Sequence, residues 1–420
     1  MKLESDDSGV EASLLPQIQS SRDERRYPGA SFSGAIFNIS TGMVGAGIMS
    51  IPATFNVLGV IPSFLVILAV AYLVEVTVEF MLKHTHYGNS TTYGELMAES
   101  FGRFGSVSLQ LCVMITNIGA LIIYLIIIGD VLSGNESGGT VHLGILQQWF
   151  GIQWWNSRPF ALLVVVLFFL LPLLLLRRID SLRHASTVSV LLAAFFVVIC
   201  AAMVVNAMLE GETTRIRLVP DLTDGTASVF KLFTTVPVIA TAFGCHVNIH
   251  PVRAELDRPS EMISAVRISL VLCVVIYVLV GIFGYLLFGD SIMADMLVNF
   301  DRTWDSLFAT VLDDMVRISY AVHLMLVFPV MNYSLRINVD ELFFPKKPLR
   351  ASGWFRFYAL TSVLLGFVYS AAIAVPNVWY FFQFMGTTTV MCIMFIFPAS
   401  IVLRSILIVK YRYSMHDETL

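Results

Sequence analysis

The chain alternates between long apolar runs and short polar connections. A helix crosses the hydrocarbon core of a membrane with about 20 consecutive, mostly apolar residues. Ten runs are long enough, and none shows the polar–apolar alternation of strands in a membrane barrel. The pattern therefore predicts an all-α membrane protein. The expected spans are at about residues 33–55, 59–82, 104–131, 159–177, 184–209, 228–250, 263–288, 307–334, 354–374 and 377–403.

The composition agrees with a surface covered by lipid. The 420 residues are 57% hydrophobic and only 13% charged, and the mean hydropathy is +0.78. A soluble domain carries about 25% charged residues, so this chain has too little polar surface for water to cover its outside. The implied partner is a lipid bilayer, and the net charge of −4 argues against nucleic acid. We expect the chain to act as a monomer.

Positive charge is distributed unevenly over the polar connections. Alternate connections carry most of the 26 Lys and Arg residues. The opposite set holds only four, Arg158, Arg215, Arg217 and Arg302. Because cytosolic loops of membrane proteins are enriched in Lys and Arg, we expect both termini in the cytosol. Residues 1–31 then form a disordered tail, residues 32–404 the transmembrane domain, and residues 405–420 a second cytosolic tail.

The first span contains residues that do not favour an uninterrupted helix. Gly42, Gly45 and Gly47 lie near its middle, after Ser40 and Thr41. Each glycine costs about 1 kcal/mol in a helix relative to alanine. Small residues at this spacing also let two helices pack closely. The glycines of this span alone therefore leave a broken helix and close packing as alternatives.

The sixth span is interrupted at a corresponding place. Pro237 precedes a run of small and polar residues at 241–248. The first span opens the first five helices and the sixth span opens the second five. Matching interruptions of this kind are typical of transporters built from an inverted repeat, so the sequence predicts a five-plus-five inverted-repeat fold with broken helices 1 and 6.

Two broken helices would expose backbone groups inside the membrane. Such groups are tolerated only where they line a cavity or contact a ligand, and the N-terminus of a half-helix attracts a carboxylate. An amino acid, with an ammonium and a carboxylate, suits exposed carbonyls beside exposed amides. The absence of charged side chains at the breaks favours small neutral amino acids. The candidate substrate-binding residues are Ser40, Thr41, Gly42, Met43, Val44, Gly45, Gly47, Thr241, Phe243, Gly244 and Cys245.

The interrupted spans resemble the amino acid/auxin permease superfamily. Residues 37–48 are similar to the family pattern F-N-L-S-x-x-x-x-G-x-G-I, and residues 237–251 to P-x-x-x-x-A-F-x-C-H-x-x-x-x-P. The stretch 317–330, which includes Tyr320, also fits, and the resemblance covers about residues 30–404. Similar members include the sodium-coupled neutral amino acid transporters and the vacuolar amino acid transporters of plants and fungi.

This resemblance implies secondary active transport of amino acids by alternating access. It implies a substrate site between spans 1 and 6, with walls from spans 3 and 8, and adds Tyr320 to the candidate binding residues. It also implies that transport is coupled to sodium or to protons.

Three positions depart from the pattern of the sodium-coupled members. Those members have an asparagine at the place of Thr41 and hydroxyl residues at the places of Met325 and Val327. Sodium, like calcium, prefers several oxygen ligands, and only Thr41 could offer a weak sodium contact here. The sequence therefore favours proton coupling or facilitated transport. A vacuolar or lysosomal-type membrane fits this expectation, with the plasma membrane or endoplasmic reticulum as alternatives.

The C-terminal region also differs from the family, which has an eleventh span. Residues 405–420 contain only a short apolar run before polar residues. We therefore expect the ten-helix core without its last helix.

Ionisable side chains inside predicted spans are candidates for proton coupling. Glu75 shares a face of span 2 with Glu79, and Lys83 follows one turn later, so an ion pair at the cytosolic end is the alternative to a proton-sensing Glu75. His323 lies midway along span 8, and His246 follows the break in span 6. Histidine titrates near neutral pH, so both are proton-coupling candidates, with a packing role as the alternative.

The remaining features narrow the class of protein. Asp313, Asp314 and Arg317 are expected to form an ion-pair cluster. The motifs G-x-x-x-x-G-K-[ST], H-E-x-x-H and G-x-S-x-G are absent from the sequence, so we expect no enzyme, no cofactor and no metal site. Two other functions stay open: a receptor that binds an amino acid without transporting it, and a channel, which would need rings of charged or carbonyl groups.

Overall fold

The computed structural model describes residues 31–87, 90–137, 140–175, 183–221, 226–300, 307–343, 354–375 and 377–417. Residues 1–30 of the expected N-terminal tail lie outside the described residues.

The first half of the described chain is almost entirely helical. Its elements are α1 (Phe32–Met43), a 3-10 helix (Ala46–Ser50), α2 (Ile51–Leu58), α3 (Val60–Tyr87), α4 (Tyr93–Ser133), the antiparallel strands β1 (Asn135–Ser137) and β2 (Thr140–His142), α5 (Ile145–Phe150), a 3-10 turn (Trp154–Asn156), α6 (Arg158–Val164), a π-helical stretch (Val165–Leu170), α7 (Leu171–Leu174) and α8 (Arg183–Glu210).

The second half continues in the same way. Its elements are α9 (Thr226–Ala242), α10 (His246–Glu255), a 3-10 turn (Pro259–Glu261), α11 (Met262–Phe288), two more 3-10 turns (Gly289–Ser291 and Met296–Phe300), α12 (Leu307–Phe343), α13 (Trp354–Ala374), α14 (Val378–Met385), two π-helical stretches (Gly386–Val390 and Cys392–Ile396) and α15 (Phe397–Asp417).

Several helix boundaries follow from local side-chain chemistry. The hydroxyl of Ser31 accepts a hydrogen bond from the backbone N–H of Gly34 at the start of α1. Thr92 and Glu95 form a reciprocal capping box at the start of α4. Gly59 ends α2 with φ at 77°, a conformation that glycine adopts readily because it has no Cβ.

The helices are long and apolar enough to confirm an all-α, multi-pass membrane protein. Among the described residues, eight helical segments can cross a membrane by length and composition, and α1 with Ala46–Leu58 adds a ninth as a bent pair. The predicted fourth span corresponds to Arg158–Leu174, which is apolar but shorter than the others. Ten spans and an inverted repeat therefore stay predictions. α15 continues as helix to Asp417, through most of the region expected to be a C-terminal tail.

Apolar side chains lie on the outside of the bundle as well as in its core. α12 packs against α4 and α8, and α11 packs against α1, α2, α3 and α8. Large exposed apolar residues occur along the outer helix faces, including Leu65, Tyr72, Phe168, Leu191 and Phe355. An outer surface of this kind is suited to lipid and not to water.

The polar connection between α8 and α9 lies across one end of the bundle. We call residues 211–221 the strap, and the end that carries it, together with residues 134–157 and 289–300, the far side. The backbone N–H of Val60 donates to Arg217 O at 3.1 Å, and the N–H of Thr214 donates to Leu286 O at 3.0 Å. The strap is therefore tied to the start of α3 and the end of α11.

Candidate functional site

The first predicted span is broken near its middle. α1 ends at Met43, and the helical segment Ala46–Leu58 that follows is inclined to α1 by 50°. Gly45, between them, has an extended backbone with φ at −123° and ψ at −152°. The N–H groups of Ala46 and Gly47 open the second segment and have no acceptor among the described residues. Amides at the start of a helix that lack a partner within it can bind an anion such as a carboxylate.

The sixth predicted span is broken as well. α9 ends at Ala242 and α10 begins at His246. The Phe243 N–H donates to Ala240 O at 3.0 Å, three residues back instead of the four of an α-helix. The two helices together still form one apolar segment, Phe230–Glu255. Both interruptions that the sequence suggested are thus present in the structure.

The two breaks lie against each other in antiparallel order. A side-chain carbon added at Gly47 would lie 2.9 Å from the Cα of Ala242, and one added at Gly42 would lie 2.8 Å from the side-chain nitrogen of Asn248. Gly47, after the first break, therefore lies against Ala242, before the second break. Gly42, before the first break, lies against Asn248, after the second. Only glycine fits at position 47, because the backbone opposite it cannot move aside as a flexible side chain could. Close packing and helix breakage, which were alternatives in the sequence, occur together.

Two tyrosine hydroxyls bind the carbonyl groups at the breaks. The Tyr277 hydroxyl, on α11, lies 2.8 Å from Met43 O and 2.6 Å from Ala242 O, and so reaches the ends of both α1 and α9. The Tyr320 hydroxyl, on α12, donates to Gly45 O at 2.6 Å. Both tyrosines are fully buried, and a buried tyrosine hydroxyl needs a polar partner. Tyr320 therefore lies at the breaks, where the resemblance led us to expect it.

A third tyrosine approaches from α4. A side-chain carbon added at Gly45 would lie 3.0 Å from the hydroxyl of Tyr124. Sequence reasoning missed Tyr124 and Tyr277, which lie within long apolar runs. The signal that could have found them is the hydroxyl itself, which must find a partner inside a segment that otherwise offers none.

The two threonines beside the breaks have the same local geometry. The Thr41 hydroxyl donates to Phe37 O at 2.7 Å, and the Thr241 hydroxyl donates to Pro237 O at 2.8 Å. Each hydroxyl therefore uses its proton on a carbonyl one turn back in its own helix. Its oxygen still has lone pairs for another donor or a cation.

The other predicted binding residues surround the same region. Phe243 packs edge-on against the ring of Tyr277, with centroids 5.0 Å apart. The Ser40 hydroxyl lies beside the Cys273 thiol. Gly244 is exposed. Those that are buried in the structure are Ser40, Met43, Val44, Gly45, Gly47, Phe243 and Cys245.

The acidic candidates on α3 form ordinary ion pairs. Glu79 pairs with Lys83 at 2.6 Å, as one of the two alternatives predicted. Glu75 pairs instead with Arg267 of α11, also at 2.6 Å, and both side chains are partly exposed. Glu75 therefore links α3 to α11.

The histidine candidates are buried and have defined neighbours. His246 Nε2 lies 2.9 Å from the Thr77 hydroxyl, which donates its own proton within α3, so His246 is the donor in this contact. His250 contacts Thr85 in the same way at 2.8 Å. The ring of His323 lies 5.0 Å from the ring of Tyr320. Only His323 thus touches a residue that bonds to the first break.

The two acidic residues of the expected cluster of Asp313, Asp314 and Arg317 have different partners. Arg317 lies 3.8 Å from Asp313, whereas Asp314 accepts a hydrogen bond from the Trp149 indole at 3.0 Å. Nearby polar groups that sequence reasoning missed are a buried Asp130–Arg158 ion pair and the buried Asp295.

These features define a multi-pass α-helical membrane protein with two helix breaks inside the bundle, where buried tyrosine hydroxyls bind backbone carbonyl groups. A family model described as "Transmembrane amino acid transporter protein" matches residues 28–414. Amino acid transporter AVT6C of Arabidopsis thaliana is 52% identical over 397 residues, which cover 94% of this chain and 91% of that protein.

Two further relatives from Arabidopsis thaliana agree. Amino acid transporter AVT6D is 51% identical, over 94% of this chain and 90% of its own length. Amino acid transporter AVT6A is 45% identical, over 94% and 86%. The chain therefore belongs to the transmembrane amino acid transporter family, and its resemblance to the amino acid/auxin permease superfamily is confirmed. The family is one of transporters and not of enzymes.

Proposed function

We propose that the chain is a secondary active transporter that moves amino acids by alternating access on a five-plus-five inverted-repeat fold. The observation that carries this proposal is the antiparallel contact of two broken helices, with Tyr277 reaching Met43 O and Ala242 O. A helix that ends inside the bundle loses backbone hydrogen bonds. A bound ligand can replace these bonds.

The substrate lies between the two breaks in this proposal. The amides of Ala46 and Gly47 bind its carboxylate. The carbonyl groups of Gly42 and Val44 accept no backbone hydrogen bond among the described residues and bind its ammonium. The remaining predicted residues line the space around these groups. Since neither break carries an Asp, Glu, Lys or Arg side chain, the substrates are small neutral amino acids.

Coupling to protons, or facilitated transport, fits the structure better than coupling to sodium. Met325 and Val327 carry no oxygen, and the Thr41 hydroxyl already donates to Phe37 O. A sodium ion needs several oxygen ligands in one place. Of the proton-coupling candidates Glu75, His246 and His323, the geometry favours His323, because its ring contacts Tyr320.

The proposed setting is a vacuolar or lysosomal-type membrane with both termini in the cytosol. The near side of the bundle, opposite the strap, then faces the cytosol, and the far side faces an acidic lumen. The bias of Lys and Arg toward the near-side connections supports this orientation. A monomer contains both breaks and is sufficient for the proposed site.

Reconstitution of the purified chain into liposomes tests the proposal. A panel of radiolabelled neutral, acidic and basic amino acids is supplied while sodium and pH are varied independently. We expect saturable uptake of small neutral amino acids that is accelerated by substrate on the opposite side and unaffected by sodium. Specific binding without flux would instead indicate a receptor, and an unsaturable conductance would indicate a channel.

A further inference from the structure

The connection between α11 and α12 folds back onto the broken first span. The Ser50 hydroxyl donates to Ala294 O at 2.6 Å, which ties residues 289–300 to the segment that follows the first break. The Asn299 side chain donates to Ser291 O at 2.8 Å and so braces this connection internally. We call residues 289–300 the far-side cover.

The far-side cover is also attached to α12. Arg317 donates a hydrogen bond to Phe300 O at 3.3 Å, and the ring of Phe300 packs edge-on against Phe288 with centroids 4.9 Å apart. The cover therefore lies between the broken span on one side and α12 on the other. Any movement of the broken span relative to α12 must change at least one of these contacts.

A carboxyl group is buried in this cover and forms no ion pair among the described residues. Asp295 is 3% exposed. One of its oxygens accepts the Leu297 N–H at 3.0 Å, and the other has no hydrogen-bond partner among the described residues. A buried, ionised carboxylate with an unpaired oxygen is strongly unfavourable. The packing of the cover therefore favours the neutral, protonated form of Asp295.

Charged groups from the neighbouring helices act on Asp295. They are Asp130 of α4, Arg158 at the start of α6, and Arg317 of α12, and Tyr320 is a further buried neighbour. Asp130 is held in an ion pair with Arg158. Burial raises the pKa of Asp295 well above its ordinary value, the negative charge of Asp130 raises it further, and the two arginines lower it.

We propose that Asp295 is a proton-binding site that governs the far-side cover: the cover packs over the helix breaks when Asp295 is protonated, and its ionisation in water opens the cover. This inference rests on the proposed transport function. Asp295 binds one proton from the far-side solution, passes from carboxylate to carboxylic acid, and can then be buried at low cost. Tyr320, which is electrostatically coupled to Asp295 and bonded to Gly45 O, links the cover to the proposed substrate site.

Exchange of tritiated L-alanine for unlabelled L-alanine across liposomes, at equal pH inside and outside, tests the proposal. Because the protonated fraction of one acid falls about tenfold per pH unit above its pKa, wild-type exchange should slow by that factor as pH rises. Asp295→Asn, which keeps a neutral side chain of similar shape, should remove this slowing. Glu212→Gln, which changes an exposed far-side carboxyl in the strap, should keep the wild-type profile.

Two results would overturn the proposal: wild-type exchange that does not slow with rising pH, and an Asp295→Asn variant that slows as the wild type does. If Asp295→Asn abolishes exchange altogether, the pH profile of the Asp130→Asn variant tests the proposal instead. Removal of the Asp130 charge should lower the pKa of Asp295 and move the slowing to lower pH. An unmoved profile in Asp130→Asn would then reject the proposal.

A melting-temperature measurement on detergent-purified protein separates this inference from the proposed transport function. A carboxyl group whose pKa is raised by folding contributes stability that is complete below its unfolded-state pKa and is lost as pH rises through its folded-state pKa. Asp295→Asn should therefore melt at the wild-type temperature in acid and above it at alkaline pH. If this pH-dependent difference in melting temperature is present while the wild type shows no saturable flux, the transport function is wrong and the proton site is supported. Parallel melting curves with intact flux would reject the proton site alone.

Discussion

The hydroxyl of Tyr320 donates a 2.6 Å hydrogen bond to the carbonyl oxygen of Gly45, at the point where the first span leaves its helical path. The bond joins α12 to the break directly. That oxygen also accepts the Ile48 N–H at 3.2 Å, so the tyrosine adds a second, shorter hydrogen bond at the break. The strength of this contact can be measured with single substitutions.

Tyr320→Phe removes the donor and leaves the ring in place. A buried hydrogen bond contributes about 0.5–1.5 kcal/mol, and the lost bond belongs to the proposed binding region. We expect the apparent affinity for the transported amino acid to fall about tenfold, measured as the concentration that gives half-maximal uptake. Tyr72→Phe is the matched control, because Tyr72 is 66% exposed on the outside of the bundle. Equal affinities in the two variants would contradict the prediction.

Gly47→Ala tests the close approach of the two breaks. The added carbon would meet the backbone of Ala242 at 2.9 Å, and overpacking of this kind costs about 1–3 kcal/mol. We expect a lower melting temperature of the purified protein and slower uptake. Gly366→Ala is the control, since an added carbon there meets nothing within 4 Å. It should leave the melting temperature unchanged or raise it. A Gly47→Ala variant that behaves like Gly366→Ala would reject the observed packing.

Thr77→Val tests whether His246 ties α10 to α3. Valine keeps the shape of threonine but cannot accept the His246 N–H, which lies 2.9 Å from the hydroxyl oxygen. The unpaired, buried N–H costs about 1–3 kcal/mol, and we expect a corresponding fall in melting temperature. Thr387→Val removes an exposed hydroxyl that bonds only within its own stretch of chain and should have little effect. A fall of similar size in both variants would show that the His246 contact contributes nothing specific.

Introduced cysteines test the orientation. Glu212→Cys lies on the exposed strap, and Arg258→Cys lies on the near side, where the arginine side chain is 77% exposed. In intact vacuoles we expect a membrane-impermeant maleimide to label Arg258→Cys at once, and Glu212→Cys only after the membrane is permeabilised. The wild-type protein, whose five cysteines are buried or partly buried, gives the background. The opposite labelling pattern would place the far side in the cytosol.

Sequence patterns were sufficient to locate both helix breaks. Gly42, Gly45 and Gly47 weaken the first span by their low helix propensity, and this effect is local, so it is visible in the sequence. The resemblance added Tyr320. The long apolar runs predicted the helices for the same reason, since each run is sufficient in itself to favour a membrane-spanning helix.

The chemistry of the far side could not be predicted in this way. Asp290 and Asp295 occupy the same short acidic connection, and nothing in their immediate neighbours distinguishes them. In the structure the Asp290 side chain is 76% exposed and paired with Arg217, whereas Asp295 is buried. The charged neighbours of Asp295 include Asp130 and Arg158, which are more than a hundred residues away in the chain, so only the folded structure reveals its environment.

The strap has a mechanical consequence for the two halves of the chain. A connection of this kind usually serves as a slack tether whose length can change at little cost. Here the hydrogen bonds of Val60 and Thr214 attach the strap to α3 in the first half of the chain and to α11 in the second half. A rocking motion that separated α3 from α11 would therefore have to break these hydrogen bonds.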